Sequence, residues 1–204
     1  GTGRMGDFWS AQPPTDVVIT AFDVVANKTC FIKPYKAEYK SWPIVRAVLA
    51  SSCVPPYFPV VAGRYVDGGV GSYANPCYLA AYEAQFCLKW KPEETTLISL
   101  GTGRDPHTLQ PGEPGRFAVW DWLNPLLGAF LASADDQQVH LVETFFKKLD
   151  FRRYQVDFPT PMPMDDASVM DELTRYGEQM GCMILDDQFD RALGVTAERP
   201  SRRK

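Results

Sequence analysis

Asp67 is the residue whose type and setting best suit acid–base chemistry. It follows Arg64–Val66, a run that predicts a short strand, and it precedes Gly68 and Gly69. Two glycines let the backbone turn sharply and leave open space beside the carboxylate. An aspartate held in this way can accept a proton from a neighbouring hydroxyl group as a general base. An ordinary Asp-Gly turn is the alternative, because this dipeptide is common in turns.

Other nucleophile and base candidates are weaker. His107 lies in a loop rich in proline and glycine, and His140 lies within a predicted helix, so we expect surface or packing roles for both. Ser51 and Ser52 end a predicted helix, whereas a nucleophilic serine needs a sharp strand-to-helix turn. The nearest approach to G-x-S-x-G is Gly69–Tyr73, whose serine is out of frame. We therefore predict no nucleophile within these residues.

The sequence predicts no metal site, no cofactor and no binding of nucleic acid. No pair of residues has metal-ligand spacing, and the Asp165-Asp166 pair is interpreted as a helix N-cap. The segment Gly1–Gly6 matches G-x-G-x-x-G, but no strand precedes it as a dinucleotide-binding unit requires. A net charge of −4 gives no general attraction to nucleic acid.

Composition and cysteine usage indicate a globular protein of the cytoplasm. The chain is 45% hydrophobic and 23% charged, as in ordinary soluble domains. Its five cysteines match no zinc or disulfide pattern, so we expect them to be reduced and mostly buried. No apolar stretch approaches the ~18 residues of a membrane span, and no signal peptide is visible. Residues 195–204 are expected to form a disordered basic tail.

The elements that must position Asp67 alternate between strands and helices. Strands are predicted at residues 16–23, 29–33, 64–66, 95–100 and 152–158. Helices are predicted at residues 42–53 (with Ser41 as N-cap), 76–88, 117–134, 136–149, 171–180 and 185–193. This alternation favours a layered α/β fold. Because ligands in such folds lie beyond the carboxyl ends of strands, we expect Asp67–Gly69 and Gly101–Gly103 to share one site.

Four segments, taken in order, resemble the patatin-like phospholipase family. They are Val17–Phe31, Trp42–Pro59, Tyr65–Pro76 with its Asp-Gly-Gly, and Ile98–Gly103, which reads ISLGTG. Each segment alone is weak evidence for the family, whereas four segments in the same order are specific evidence for it. Fainter similarity extends to about residue 194. The resemblance implies that residues 1–194 belong to an α/β, three-layer patatin-like sandwich.

The resemblance also implies a lipid acyl hydrolase that works with a Ser–Asp dyad and no cofactor. Asp67 would take the proton of a serine on a G-x-S-x-G turn, and Gly68 and Gly69 would shape its own turn. A glycine-rich loop would bind the oxyanion of the acyl group. The lipid or phospholipid ester would be hydrolysed through an acyl-enzyme. The scarcity of histidine agrees with a dyad of this kind.

The resemblance is incomplete at the N-terminus. The oxyanion loop and the serine turn should precede Val17, and only 16 residues do so. The sandwich is therefore expected to be truncated, either as a fragment of an active hydrolase, which we favour, or as a short inactive relative that binds lipid or protein. These residues alone should hydrolyse no ester. They should also fold poorly, because missing central strands would expose sheet edges and an apolar face.

Phe117–Leu131 is rich in aromatic residues and leucine. We expect this segment to pack over the sheet or to line an acyl-chain pocket. An exposed face that contacts a membrane surface is the alternative. The two interpretations differ in the exposure of the aromatic side chains.

Overall fold

Strands and helices alternate along the chain in a computed structural model that describes residues 2–11, 15–55, 57–106, 109–163, 165–185 and 195–196. The strands are β1 (Ile19–Asp23), β2 (Lys28–Ile32), β3 (Tyr65–Asp67), β4 (Thr96–Leu100), β5 (Asp150–Val156) and β6 (Val195–Thr196). The α-helices are α1 (Ile44–Ser52), α2 (Cys77–Tyr82), α3 (Leu123–Phe145) and α4 (Met170–Leu185). The structure mixes α-helices with small sheets, which is compatible with the predicted α/β fold. The rest of the basic tail lies outside the described residues.

The chain divides into two compact units, and each contains one three-stranded sheet. The first unit comprises the described residues of Gly1–Pro76 and Leu126–Val139, and its antiparallel sheet has the order β2-β1-β3. The second comprises those of Cys77–Pro125 and His140–Lys204, and its sheet has the order β4-β5-β6. In that second sheet β4 and β5 run parallel, whereas β5 and β6 run antiparallel.

The middle strand of the first sheet, β1, fixes the register of its neighbours. Its β-branched and aromatic residues favour an extended strand. Ala21 pairs with Cys30 of β2 on one side and with Asp67 of β3 on the other. The core of this unit consists of Met5, Ala21, Cys30, Ile32, Tyr39, Trp42, Ala47, Ala50 and Tyr65. The backbone of Asp67 is thereby held against a buried strand.

Helix α1 packs on β1 and β3 through its small residues. Ala47 and Ala50 are fully buried, whereas the side chains of Val45, Val48 and Leu49 are about half exposed. The helix begins at Ile44, and Pro43 is its N-cap residue with no side-chain cap, so the predicted Ser41 cap is wrong. The exposed apolar face of α1 agrees with the expectation that apolar surface would be uncovered.

The strand β4 also leaves apolar side chains uncovered. Ile98 is 56% exposed and Leu100 is 64% exposed. Parallel strands are usually covered by other elements on both faces. Both residues therefore mark a face of the second sheet that no described element covers.

Several predicted helices have different bounds in the structure. The two helices predicted at 117–134 and 136–149 form the single helix α3, because no glycine or proline interrupts the chain between them. The segment Val119–Trp122 is a 3-10 turn. Helix α2 ends at Tyr82 and continues as a π-helical turn, and α4 extends to Leu185. The helix predicted at 185–193 lies otherwise outside the described residues.

All five cysteines carry free thiol groups in the structure. Three of them, Cys30, Cys53 and Cys77, are buried, whereas Cys87 and Cys182 are exposed. Within the described part of the chain, every helix is too short or too polar to cross a bilayer.

Candidate functional site

The backbone of Asp67 is anchored between β1 and the end of α1. Its N–H donates to the carbonyl oxygen of Cys53 at 3.1 Å. The buried Sγ of Cys53 donates in turn to the carbonyl oxygen of Tyr65 at 3.2 Å. Cys53 therefore ties the C-terminus of α1 to β3 on both sides of Val66, which sets the position from which the Asp67 side chain extends.

The side chain of Asp67 caps the turn that follows it. Residues Gly68–Gly71 form one turn of 3-10 helix with Asp67 as N-cap, and we call Asp67–Ser72 the D-G-G turn. Oδ1 of Asp67 accepts the N–H of Gly69 at 2.6 Å, as acidic N-cap residues commonly do. Within the described residues, no hydrogen bond involves Oδ2. The second oxygen is thus available to accept a proton.

The two glycines of the motif have a steric role. A Cβ on Gly68 would lie 2.3 Å from Oγ1 and 2.9 Å from the carbonyl oxygen of Thr20. A Cβ on Gly69 would lie 2.8 Å from Oδ1 of Asp67. Neither glycine has a positive φ. Glycine is therefore required at these two positions because their neighbours leave no room for a Cβ, and not because the backbone is left-handed.

A cavity of ≈ 240 Å³ lies beside the D-G-G turn. Its lining includes Asp67, Gly68, Thr20, Ser51 and Tyr73. The volume is smaller than the roughly 300–1,000 Å³ typical of pockets for drug-sized ligands. It suits a reacting group better than a whole lipid. The arrangement can accept a proton from a hydroxyl group that enters this cavity.

The environment of Asp67 changes its acidity. Burial raises the pKa of Asp67, and the hydrogen bond from the Gly69 N–H opposes this increase. A raised pKa brings a carboxylate closer to the operating pH of a general base. It also means that the folded state binds the proton of Asp67 more tightly than the unfolded state does. Asp67 therefore favours folding below its unfolded pKa, and this contribution is lost as the pH rises through the folded pKa.

We expect Asp67→Asn to stabilise this chain at neutral pH. Asparagine keeps an oxygen for the Gly69 N–H but carries no buried charge, so the free energy of unfolding at pH 7 should increase by about 0.5–1 kcal/mol. The gain should disappear at pH 3, where Asp67 is protonated in both states. Urea unfolding of both proteins at the two pH values measures this difference. A gain that is equal at pH 3 and pH 7 would contradict the burial of a charge.

The buried carboxylate of Asp23 has a structural role. It is 2% exposed, forms an ion pair with Arg64, and accepts the N–H groups of Val25 and Ala26 at 3.1 and 3.0 Å. The hydrogen bond from Arg64 holds the pKa of Asp23 below its usual range. Asp23 is therefore held in its charged form and closes the turn between β1 and β2.

Of the remaining predicted residues, Ser51 lines the cavity, whereas His140 and Asp166 are not among its lining residues. His140 is exposed, with Nε2 3.5 Å from Oγ1 of Thr144, and His107 lies outside the described residues. Asp166 accepts the N–H of Ser168 at 2.9 Å, so the predicted cap is confirmed. Across the described ranges, no cluster of three His, Cys, Asp or Glu side chains could hold a metal ion.

The loop Gly101–Gly103 belongs to the second unit, whereas the D-G-G turn belongs to the first. The expectation that the two loops share one site therefore stays a prediction. Gly103 has a φ of +98°, and its N–H donates to Oε1 of Gln155 at 2.9 Å. A Cβ on Gly103 would lie 2.1 Å from the ring of Phe158. Glycine at position 103 is therefore explained by its positive φ and by close packing within the second unit.

The segment with aromatic residues before α3 is exposed. Val119 is 82% exposed and Trp120 is 85% exposed. The ring of Trp122 packs edge-on against Phe117, with centroids 5.3 Å apart. The expectation that this segment packs over a sheet is wrong for Val119 and Trp120.

Two contacts of the D-G-G turn were not predicted from the sequence. Gln138 of α3 donates from Nε2 to the carbonyl oxygen of Ser72 at 3.3 Å, and Cys53 holds the Asp67 backbone. Each contact joins residues that are distant in the sequence, so no local sequence pattern predicts it. The burial of Gln138, a polar residue, is visible only in three dimensions.

Comparison with models of known protein families found no match for this chain, and comparison with curated proteins found none. Membership of a family therefore stays a prediction that rests on the four motif segments.

Proposed function

We propose that this chain supplies the aspartate of a Ser–Asp dyad in a lipid acyl hydrolase of the patatin-like type. The observation that carries the proposal is the setting of Asp67. This partly buried carboxylate ends a strand, has one oxygen fixed by the Gly69 N–H, and lines a small cavity. The order of the four motif segments supports the same assignment.

In this proposal Asp67 acts as the general base. A serine outside these 204 residues places its hydroxyl group in the cavity, and its proton moves to Oδ2 of Asp67 as Oγ attacks the acyl carbon of a lipid ester. Asp67 returns the proton to the leaving alcohol when the ester bond breaks. Water, activated by the same carboxylate, then hydrolyses the acyl-enzyme and releases the fatty acid. The fixed Oδ1 keeps the carboxylate oriented through both steps.

Uncovered apolar surface supports the proposed three-layer, patatin-like sandwich. Val45, Val48 and Leu49 of α1 and Ile98 and Leu100 of β4 are exposed by between 49% and 64%. Apolar faces of this kind are normally covered by another layer. The polypeptide that contains the serine is the proposed source of that layer. The reduced cysteines favour the cytoplasm as the location of the whole protein.

A patatin-like module that binds lipid or protein without hydrolysis is the second candidate. The hydrogen bond from the Gly69 N–H to Oδ1 of Asp67 supports it, since this contact is an ordinary N-cap that stabilises the turn. This module would retain the D-G-G turn for structure alone. It predicts lipid or protein binding without release of fatty acid.

We propose that Val119 and Trp120 contact the surface of a membrane, where a lipid hydrolase meets its substrate. They are adjacent, almost completely exposed, and lie on a short 3-10 turn. Tryptophan is favoured at the interface between lipid and water. No Lys or Arg occurs in Phe117–Phe146. The surface that suits this segment is therefore a zwitterionic one, since it offers no cations to anionic lipids.

We expect Trp120→Ala to weaken binding to phosphatidylcholine vesicles by about tenfold, because it removes one large apolar side chain from the interface. Vesicle co-sedimentation of this chain measures the change. Trp90→Ala is the matched control, since Trp90 is also an exposed tryptophan, at 55%. Equal losses for the two variants would contradict a specific contact by Trp120.

The hydrolase proposal is tested by expressing the complete coding region and measuring fatty acid release from phospholipid and from short acyl esters. The dyad predicts release that a fluorophosphonate, which labels nucleophilic serines, abolishes. The binding module predicts vesicle or protein binding with no release. Release that survives complete labelling of serine would contradict the dyad.

A further inference from the structure

Ser72 ends the D-G-G turn in a strained conformation. Its φ of 68° and ψ of 21° lie in the left-handed region, which is unfavourable for a residue other than glycine. Such conformations persist where the surrounding structure holds them. The Ser72 N–H donates to the carbonyl oxygen of Gly69, and the N–H of Tyr73 donates to that of Gly68, both at 3.0 Å. These bonds connect the strained residue to the glycines beside Asp67.

Helix α3 holds the same turn through a buried amide. Gln138 is buried, with 7% of the residue exposed. Its Nε2 donates to the carbonyl oxygen of Ser72 at 3.3 Å. Leu131, on the same helix, lies 3.4 Å from the position of a Cβ on Gly69. The helix therefore approaches the turn at both Gly69 and Ser72.

The second amide atom of Gln138 argues against a role in packing alone. Within the described part of the chain, Oε1 of Gln138 is buried and has no hydrogen-bond partner. An unpaired buried acceptor is unfavourable, and a methionine of similar volume would fill the same space without it. Glutamine is the better residue here only if the carbonyl oxygen of Ser72 requires a donor.

We propose that Gln138 is a positioning residue for Asp67. Its hydrogen bond stabilises the left-handed conformation of Ser72, and thereby the turn in which the Gly69 N–H meets Oδ1 of Asp67. The inference rests on the proposed role of Asp67 as base. The geometry of the turn can nevertheless be measured in this chain without any hydrolysis.

Amide hydrogen exchange, followed by NMR, tests this role with Gln138→Met. The N–H groups of Gly69, Ser72 and Tyr73 should exchange about tenfold faster, the factor expected for the loss of one net hydrogen bond. The melting temperature should change little, because removal of the unpaired Oε1 offsets the loss of the hydrogen bond to Ser72. Gln137→Met is the matched control, since Gln137 is exposed and its Nε2 donates to Oγ of Ser133, on its own helix, at 3.4 Å. This control should leave the three exchange rates unchanged.

The variant Ser72→Gly provides the second arm of the test. Glycine adopts the left-handed conformation without strain, so Gln138→Met should change the exchange of Gly69 little in this background. Equal effects of Gln138→Met in the two backgrounds would overturn the proposal, because they indicate independent roles. Unchanged Gly69 exchange, or loss of folding in Gln138→Met, would also overturn it. Ester hydrolysis plays no part in these measurements, so they can fail or succeed separately from the proposed function.

Discussion

Replacing Asp67 by Asn, in the polypeptide that also carries the serine, is expected to lower ester hydrolysis by about 10²–10⁴-fold, the usual contribution of a positioned general base. Asparagine can still accept the Gly69 N–H, so the turn should stay intact while the proton acceptor is lost. The decrease should therefore appear in kcat with little change in KM. Steady-state hydrolysis of a soluble acyl ester measures both constants.

The matched control for this result is Asp136→Asn. Asp136 is exposed on α3 and is not among the residues that line the cavity, so this change removes the same charge outside the cavity and should preserve turnover. Circular dichroism should show that both variants fold. Turnover that is unchanged in Asp67→Asn would exclude Asp67 as the base and would favour a purely structural D-G-G turn.

Gly68→Ala is expected to have the largest effect on stability among the substitutions in the turn. The new Cβ would meet Oγ1 of Thr20 at 2.3 Å and its backbone carbonyl oxygen at 2.9 Å. The hydroxyl group can rotate away, but the carbonyl belongs to β1, the middle strand of the sheet. The free energy of unfolding should therefore fall by about 1–3 kcal/mol, as in other overpacked sites. Urea denaturation of this chain measures the change.

Gly177→Ala is the control for the loss of a glycine. Gly177 lies in α4, and a Cβ there would meet no heavy atom within 4 Å. Alanine in a helix is favoured over glycine by about 0.5–1 kcal/mol, so this variant should be slightly more stable than the parent. Equal stability of Gly68→Ala and Gly177→Ala would contradict close packing between Gly68 and β1.

Local patterns were sufficient to predict the strands around Asp67. The β-branched residues of β1, the turn before β2 and the short run before Asp67 each determine structure over a few residues, and the structure contains all three elements. The D-G-G motif likewise predicted a tight turn after a strand. Each of these features depends on neighbours in the sequence, and this is why composition and spacing could reveal them.

The remaining features depend on contacts between distant residues. Position 68 requires glycine because Thr20 lies close to it. Gln138 uses its amide to donate to the carbonyl oxygen of Ser72. The exposure of Trp120 could not be predicted, because an aromatic segment fits a core and a surface equally well. Likewise, the placement of β3 and β4 in different sheets could not be predicted, because strand pairing is not encoded in local periodicity.

The pairing of Asp67 with a serine is the central claim, and the coding sequence upstream of the codon for Gly1 tests it most directly. We predict an in-frame extension that encodes a glycine-rich loop followed by G-x-S-x-G on a strand-to-helix turn. That result would supply the missing partner of Asp67. A stop codon and a start site immediately upstream would instead leave Asp67 without a serine, contradict the hydrolase proposal, and favour the binding module.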